Sequence, residues 1–185
     1  MRTPFRSAAI ALAGALALSL PAIAQMTTKP LTPSQMVDPK ILVARIEQNC
    51  GVFHTAIQTE QPTDVMLKTN VWNLVKDADI TAAEKALSAT TYAKVWKIGG
   101  NYNWIHAVTI GSKGGHNALQ LCFRNDGTLA RVKSATTIPA LDLAGAHTAY
   151  YNTNGSLIQR TGEVSVNDPS FAMKVKSLPY YKILP

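Results

Sequence analysis

The stretch Cys122-Phe123-Arg124-Asn125-Asp126-Gly127-Thr128-Leu129-Ala130-Arg131-Val132 constrains the fold more than any other part of the chain. Asp-Gly between two alternating runs reads as a tight β-hairpin, because the turn needs residues that tolerate positive φ. With Asp126 and Gly127 as a two-residue loop, Phe123 faces Ala130, Leu121 faces Val132 and Leu119 faces Ser134, which makes one apolar face. The opposite face pairs Arg124 with Leu129, Cys122 with Arg131 and Gln120 with Lys133, and is polar and basic. A three-residue loop with a bulge would set Leu121 against Arg131, so the two-residue loop is the expected register.

A second hairpin is expected over His147–Val166, turning at Asn154-Gly155 in a type I′ turn. Phe123, Asp126, Gly127, Thr128 and Leu129 match Tyr151, Asn154, Gly155, Ser156 and Leu157, each 28 residues later. Two copies do not make a solenoid, which needs at least three.

The first 24 residues read as a secretory signal peptide of bacterial type. Arg2 and Arg6 form a positive start, Ser7–Leu20 is an apolar run, and Pro21-Ala22-Ile23-Ala24 supplies small residues for cleavage after Ala24. The run is about 14 residues, short of the ~20 that a spanning helix needs. The mature chain, Gln25 onward, is expected to be periplasmic or secreted, with no transmembrane segment after cleavage. Residues 25–38 read as a flexible arm, rich in Thr and Pro. Residues 39–185 read as a single domain.

Along that domain, Asp38-Pro39 caps a helix with its apolar stripe at Leu42, Ile46, Cys50, Phe53 and Ile57; Gly51 interrupts the pattern. Val65–Val75 is expected as a second short helix. Ala82–Ser88 is expected as a third, with Thr81 as cap and Glu84 completing a capping box. Strand patterns follow at Tyr92–Ile98 and Tyr102–Ile110, where Tyr102, Trp104, His106, Val108 and Ile110 share a face. Gly111–Gly115 is a loop without the Walker spacing. The central hairpin runs from Asn117 to Thr136, Leu141–Gly145 is a crossing loop or single helical turn, and Phe171–Leu178 is a last strand. The fold class is α+β, with N-terminal helices packed on an antiparallel sheet of about six strands built from consecutive hairpins.

Cys50 and Cys122 are the only cysteines. In an oxidising compartment a disulfide between them is the default. The helix stripe puts Cys50 on a buried face, while the hairpin register puts Cys122 opposite Phe123. Both cannot hold if one helix layer covers the Phe123 side: either the helix packs on the Cys122 face, or the Gly51 break turns Cys50 aside, or the thiols stay apart.

No catalytic residues are identified. Gly-x-Ser-x-Gly is absent, no carboxylate pair is marked by spacing, and no Cys/His spacing suits zinc. Neither a metal nor a cofactor is expected. The charge is uneven: residues 25–93 hold six Lys/Arg and seven Asp/Glu, whereas residues 94–185 hold ten and four, a balance of +6. Nucleic acid is a poor partner for an exported chain. The expected function is a non-enzymatic binding module whose partner is an envelope protein or an anionic envelope polymer, held by Arg124, Arg131 and Lys133. The alternative is a small-molecule-binding or hydrolytic domain with a pocket between the helices and a curved sheet.

Overall fold

Eight strands form one antiparallel sheet, two more than the six or so expected. The computed structural model describes residues 38–86, 88–111, 114–162 and 171–185; residues 1–24, expected as a signal peptide, and the 25–37 part of the expected arm lie outside the described residues. The chain runs α1 (Pro39–Ala56), β1 (Thr63–Lys68), β2 (Val71–Leu74), α2 (Asp77–Lys85), β3 (Thr90–Ile98), β4 (Asn101–Ile110), β5 (His116–Phe123), β6 (Leu129–Ile138), β7 (Leu143–Tyr151) and β8 (Leu157–Gly162), with 3-10 turns at Pro139–Leu141, Val175–Ser177 and Tyr181–Ile183. The strand order is β2-β1-β3-β4-β5-β6-β7-β8, so every connection but one joins neighbours.

The two additional strands are β1 and β2, which replace the short helix expected over Val65–Val75. The apolar residues there alternate as well as they spiral, and Thr69 and Asn70 take φ of 50° and 64°. These are the paired left-handed residues of a two-residue hairpin turn, which no helix accommodates. The following helix begins at Asp77 rather than Ala82. Its start is fixed by Asp79, whose carboxylate accepts the Lys76 N–H at 3.0 Å, not by Thr81. The first helix begins where expected, with the Asp38 carboxylate accepting the Lys40 N–H at 2.8 Å.

The central hairpin differs from expectation only at its tip. The Arg124 N–H donates to the Thr128 carbonyl and the Gly127 N–H to the Arg124 carbonyl, which leaves a three-residue loop with Gly127 at φ +79°. The Asp126 carboxylate accepts the Thr128 N–H at 2.8 Å, and this side-chain bond favours the longer loop. Phe123 then pairs with Leu129 and Cys122 with Arg131, so Ala130 is an extra, bulged residue. The bulge offsets the longer loop, and the expected pairs Leu121–Val132, Gln120–Lys133 and Leu119–Ser134 all form. The second hairpin repeats the device: Asn152 and Ser156 close the loop, Gly155 has φ +87°, and Ile158 is the bulge between the pairs Tyr151–Leu157 and Tyr150–Gln159. The type I′ turn expected at Asn154-Gly155 is replaced because Asn152 and Asn154 side chains accept the Ser156 N–H. The 163–166 end of the expected hairpin lies outside the described residues.

Both faces of the sheet carry a core. On the Phe123 face, Leu119, Leu121, Phe123, Leu129 and Val132 are buried with Val175, Leu178 and Tyr180. The segment 171–185, expected to include a strand, instead crosses this face in 3-10 turns. It is tied to the central hairpin by Leu129 N–H to Met173 carbonyl and Val175 N–H to Gly127 carbonyl bonds, each 2.9 Å. On the Cys122 face, Ile46 and Cys50 of α1 are buried with Trp104, Cys122, Ala130 and Tyr150, while Ile80 of α2 is buried with Met66, Tyr92, Val108 and Ile110. Tyr102 does not share the face of Trp104, because β4 bulges between the pairs Trp96–Trp104 and Lys97–Tyr102, and Tyr102 packs with the Phe123-face core.

Candidate functional site, a basic cleft beside the central turn

At one end of the sheet the β3–β4 turn, the loop of the central hairpin and the segment 175–185 enclose a cleft of about 560 Å³. That is within the ~300–1,000 Å³ of small-ligand sites. Four cationic side chains line it, Lys97, Arg124, Lys176 and Lys182, against one side-chain carboxylate, Asp126.

Its walls are fixed from below. Asn103, buried in the β4 bulge, donates to the Phe123 carbonyl at 3.2 Å and to the Asn125 side-chain oxygen at 2.9 Å. Arg124 holds the two hairpins together: it donates to the Leu129 carbonyl at 2.7 Å and to the Tyr151 carbonyl. Burial lowers its pKa, which the nearby Asp126 partly opposes; the guanidinium remains charged. Burial acts to raise the Asp126 pKa, but the Thr128 hydroxyl and N–H and the Arg124 charge outweigh it and hold the carboxyl below its ordinary value. Both of those Thr128 bonds go to the same Asp126 oxygen, Oδ1, so this oxygen is engaged in the turn. Tyr102 donates to the Pro185 carbonyl, and Lys97 does so at 3.3 Å. Among the described residues Lys176 and Lys182 have no ion-pair partner, and both are exposed.

The three cations expected to act together are dispersed. Arg124 lines the cleft. Arg131 is only 3% exposed; it lies under α1, 2.5 Å from the Glu47 carboxylate and over the Trp104 ring at 5.4 Å. Lys133 is exposed but 3.8 Å from the same carboxylate. The hairpin pattern put Arg131 and Lys133 on one face but did not show that they share a single acid on α1, and it misplaced Arg124, which lies in the loop at the cleft. Lys97, Lys176 and Lys182 were missed because nothing local relates the β3–β4 turn to residues 60 or more positions later.

Cys50 and Cys122 lie in disulfide geometry, with Sγ atoms 2.05 Å apart and Cα atoms 6.0 Å apart. The conflict between their expected faces disappears because α1 covers the Cys122 side and the Phe123 side is covered by residues 171–185. Among the described residues no three His, Cys, Asp or Glu side chains converge as metal ligands, and no helix is long and apolar enough to cross a membrane. Comparison with protein-family models, with curated proteins and with solved structures finds no match to this chain.

Proposed function

We propose that the protein is a non-enzymatic binding module, exported to the periplasm or beyond, whose basic cleft takes an anionic polymer of the cell envelope. The observation that carries this reading is the cleft's lining of four cationic side chains and one side-chain carboxylate, whose Oδ1 is already engaged in a turn. Lys176 and Lys182 line it without counter-ions among the described residues, on the half of the chain whose balance is +6. Clustered cations around a concavity focus the field on an approaching anion and raise its local concentration. The ordinary alternative for surface lysines is a solvated coat that keeps a sheet end from pairing; a ligand-sized concavity is more than that role requires.

The test is titration of the exported protein with polyphosphate and with alginate, at low and high salt. Saturable binding to at least one polymer is expected, weakening as salt rises and falling about tenfold or more in Lys97→Gln/Lys176→Gln/Lys182→Gln, a loss of about 1.4 kcal/mol. Equal binding by that variant, or no salt-sensitive binding to either polymer, overturns the reading. Binding confined to phosphatidylglycerol vesicles would replace the polymer by a lipid surface.

A further inference from the structure

One residue from each of five consecutive strands lies in register across the Cys122 face. Lys94 pairs with His106, His106 with Gln120, Gln120 with Lys133, and Lys133 with Thr148. Each is two residues from a member of the adjacent row, Trp96, Trp104, Cys122, Arg131 and Tyr150, so the two rows share a face. Strands lie ~4.8 Å apart, so the row of five spans about 19 Å perpendicular to the strands.

α1 runs alongside this row. Its Glu47 contacts Tyr150 of β7 and Arg131 of β6, Cys50 reaches Cys122 of β5, and His54 stacks near Trp104 of β4 at 5.3 Å. Beyond it the Trp96 indole donates to the Glu60 carbonyl. The helix therefore covers the adjacent row, and its Glu47 reaches Lys133 of the polar one. α2 covers the other side over β1, β3 and β4, and Ala118 of β5 packs against the same cluster. Over β6 and β7 the next row is Ala135 and Ala146, both exposed. The result is a trough with a helical wall, a polar floor and a shelf of small side chains.

The chemistry of the floor differs from that of the basic cleft. Lys94 is paired with Asp77 at 2.5 Å, while Lys133 shares the single Glu47 carboxylate with Arg131, so the floor carries at most one cation in excess. Between them the His106 and Gln120 side chains are half-buried and make no hydrogen bond among the described residues. Burial, then Lys94 and His116, lower the His106 pKa against a weaker opposing effect of Glu84, so the ring is neutral near pH 7. A neutral imidazole, a carboxamide and the Thr148 hydroxyl each both donate and accept hydrogen bonds. An anion offers acceptors only and leaves half of that capacity unused. A peptide strand would seek a sheet edge, not a face. A hydroxyl-rich ligand matches it, and successive pyranose rings of an extended glycan advance by a step comparable to the strand spacing.

We propose that this trough, floored by Lys94, His106, Gln120, Lys133 and Thr148, binds a neutral oligosaccharide lying across the strands. The ligand is held mainly by His106 and Gln120, with its rings resting on the Ala135–Ala146 shelf. The site is separate from the basic cleft, and neither proposal depends on the other.

The experiment is calorimetric titration of the exported protein with chitohexaose, maltohexaose and cellohexaose, and with the corresponding trisaccharides. Saturable binding of at least one hexasaccharide is expected, weaker for its trisaccharide and unchanged as salt rises. His106→Ala and Gln120→Ala are each expected to weaken it about tenfold, the effect of removing a hydrogen-bonding partner from a half-buried site. Ala135→Ile/Ala146→Ile alters only exposed strand positions, tolerates β-branched side chains, and is expected to abolish binding by filling the shelf. Lys176→Gln/Lys182→Gln is expected to leave it unchanged. The proposal is overturned if no hexasaccharide binds, if the shelf variant folds and binds like the wild type, or if binding follows the cleft lysines instead.

Discussion

The Arg131 guanidinium, 3% exposed beneath α1, lies 2.5 Å from the Glu47 carboxylate, and this contact joins the first helix to the centre of the sheet. Glu47 also accepts from the Tyr150 hydroxyl at 2.6 Å. Removing one partner of a fully buried pair costs roughly 3–5 kcal/mol, because the other charge is stranded. The Glu47 side chain is 36% exposed, so solvent screens part of that loss. Glu47→Ala is expected to destabilise the fold by roughly 2 kcal/mol in urea unfolding, and Arg131→Met/Glu47→Leu to recover much of it.

The same carboxylate gives a pH signature. Burial acts to raise its pKa, but the Tyr150 hydroxyl, the Arg131 and Lys133 charges and the Arg131 hydrogen bond outweigh this and lower it. An acid whose folded pKa is depressed adds stability above its unfolded pKa and loses it as pH falls through the folded value. Unfolding free energy measured from neutral to acid pH is therefore expected to decline in this window, and the decline should be smaller in Glu47→Gln.

Asp64 behaves in the opposite sense. It is 8% exposed, its Oδ1 has no hydrogen-bond partner among the described residues, and burial raises its pKa, opposed by Lys94 and reinforced by Asp77. The folded state therefore holds its proton more tightly, so stability is greater below the unfolded pKa and falls as pH rises through the folded one. Asp64→Asn is expected to raise the melting temperature at neutral pH, with the gain vanishing in acid. A lower neutral-pH melting temperature would show that the Lys94 attraction exceeds the burial cost.

The disulfide geometry spans 72 positions. A cross-link of that span restricts the unfolded chain by about 4 kcal/mol in the entropy model. Cys50→Ala/Cys122→Ala is expected to lose a comparable amount, and non-reducing peptide mapping of protein purified without reductant should recover the Cys50 and Cys122 peptides joined.

Gly51 lies inside α1, is exposed, and a Cβ there meets nothing within 4 Å. Glycine costs roughly 1 kcal/mol against alanine in a helix interior. Gly51→Ala should raise stability by about that amount in chemical denaturation.

What the sequence revealed was local. Asp38-Pro39 marks the helix start, and the alternation around Gly127 determines which side chains share a face. Where two local readings competed, pattern alone did not choose. Val65–Val75 satisfies a helix or a hairpin, and Thr69-Asn70 decides it only if two left-handed residues are expected without glycine. The tip of the central hairpin depends on a side-chain bond from Asp126 and a compensating bulge at Ala130, neither of which alternation encodes. The cleft was illegible for a different reason: Lys97, Arg124 and Lys182 meet only because residues 171–185 return across the sheet. That return is held by apolar contacts of Val175, Leu178 and Tyr180, which in sequence resemble an ordinary strand.

That returning segment also orders events in time. Synthesis completes β1 to β8 before residues 171–185 exist, and hairpins between neighbours form quickly because their contacts are local. In the interval Leu119, Leu121, Phe123 and Val132 line a finished sheet with nothing over them. An emerging chain is then at its most adhesive when most of its hydrogen-bond ladder is already built, the condition under which incomplete chains associate. Any shortening before Val175 would make that transient state permanent, so truncated products of this protein should be found bound to holdase chaperones or in aggregates, not as smaller folded species.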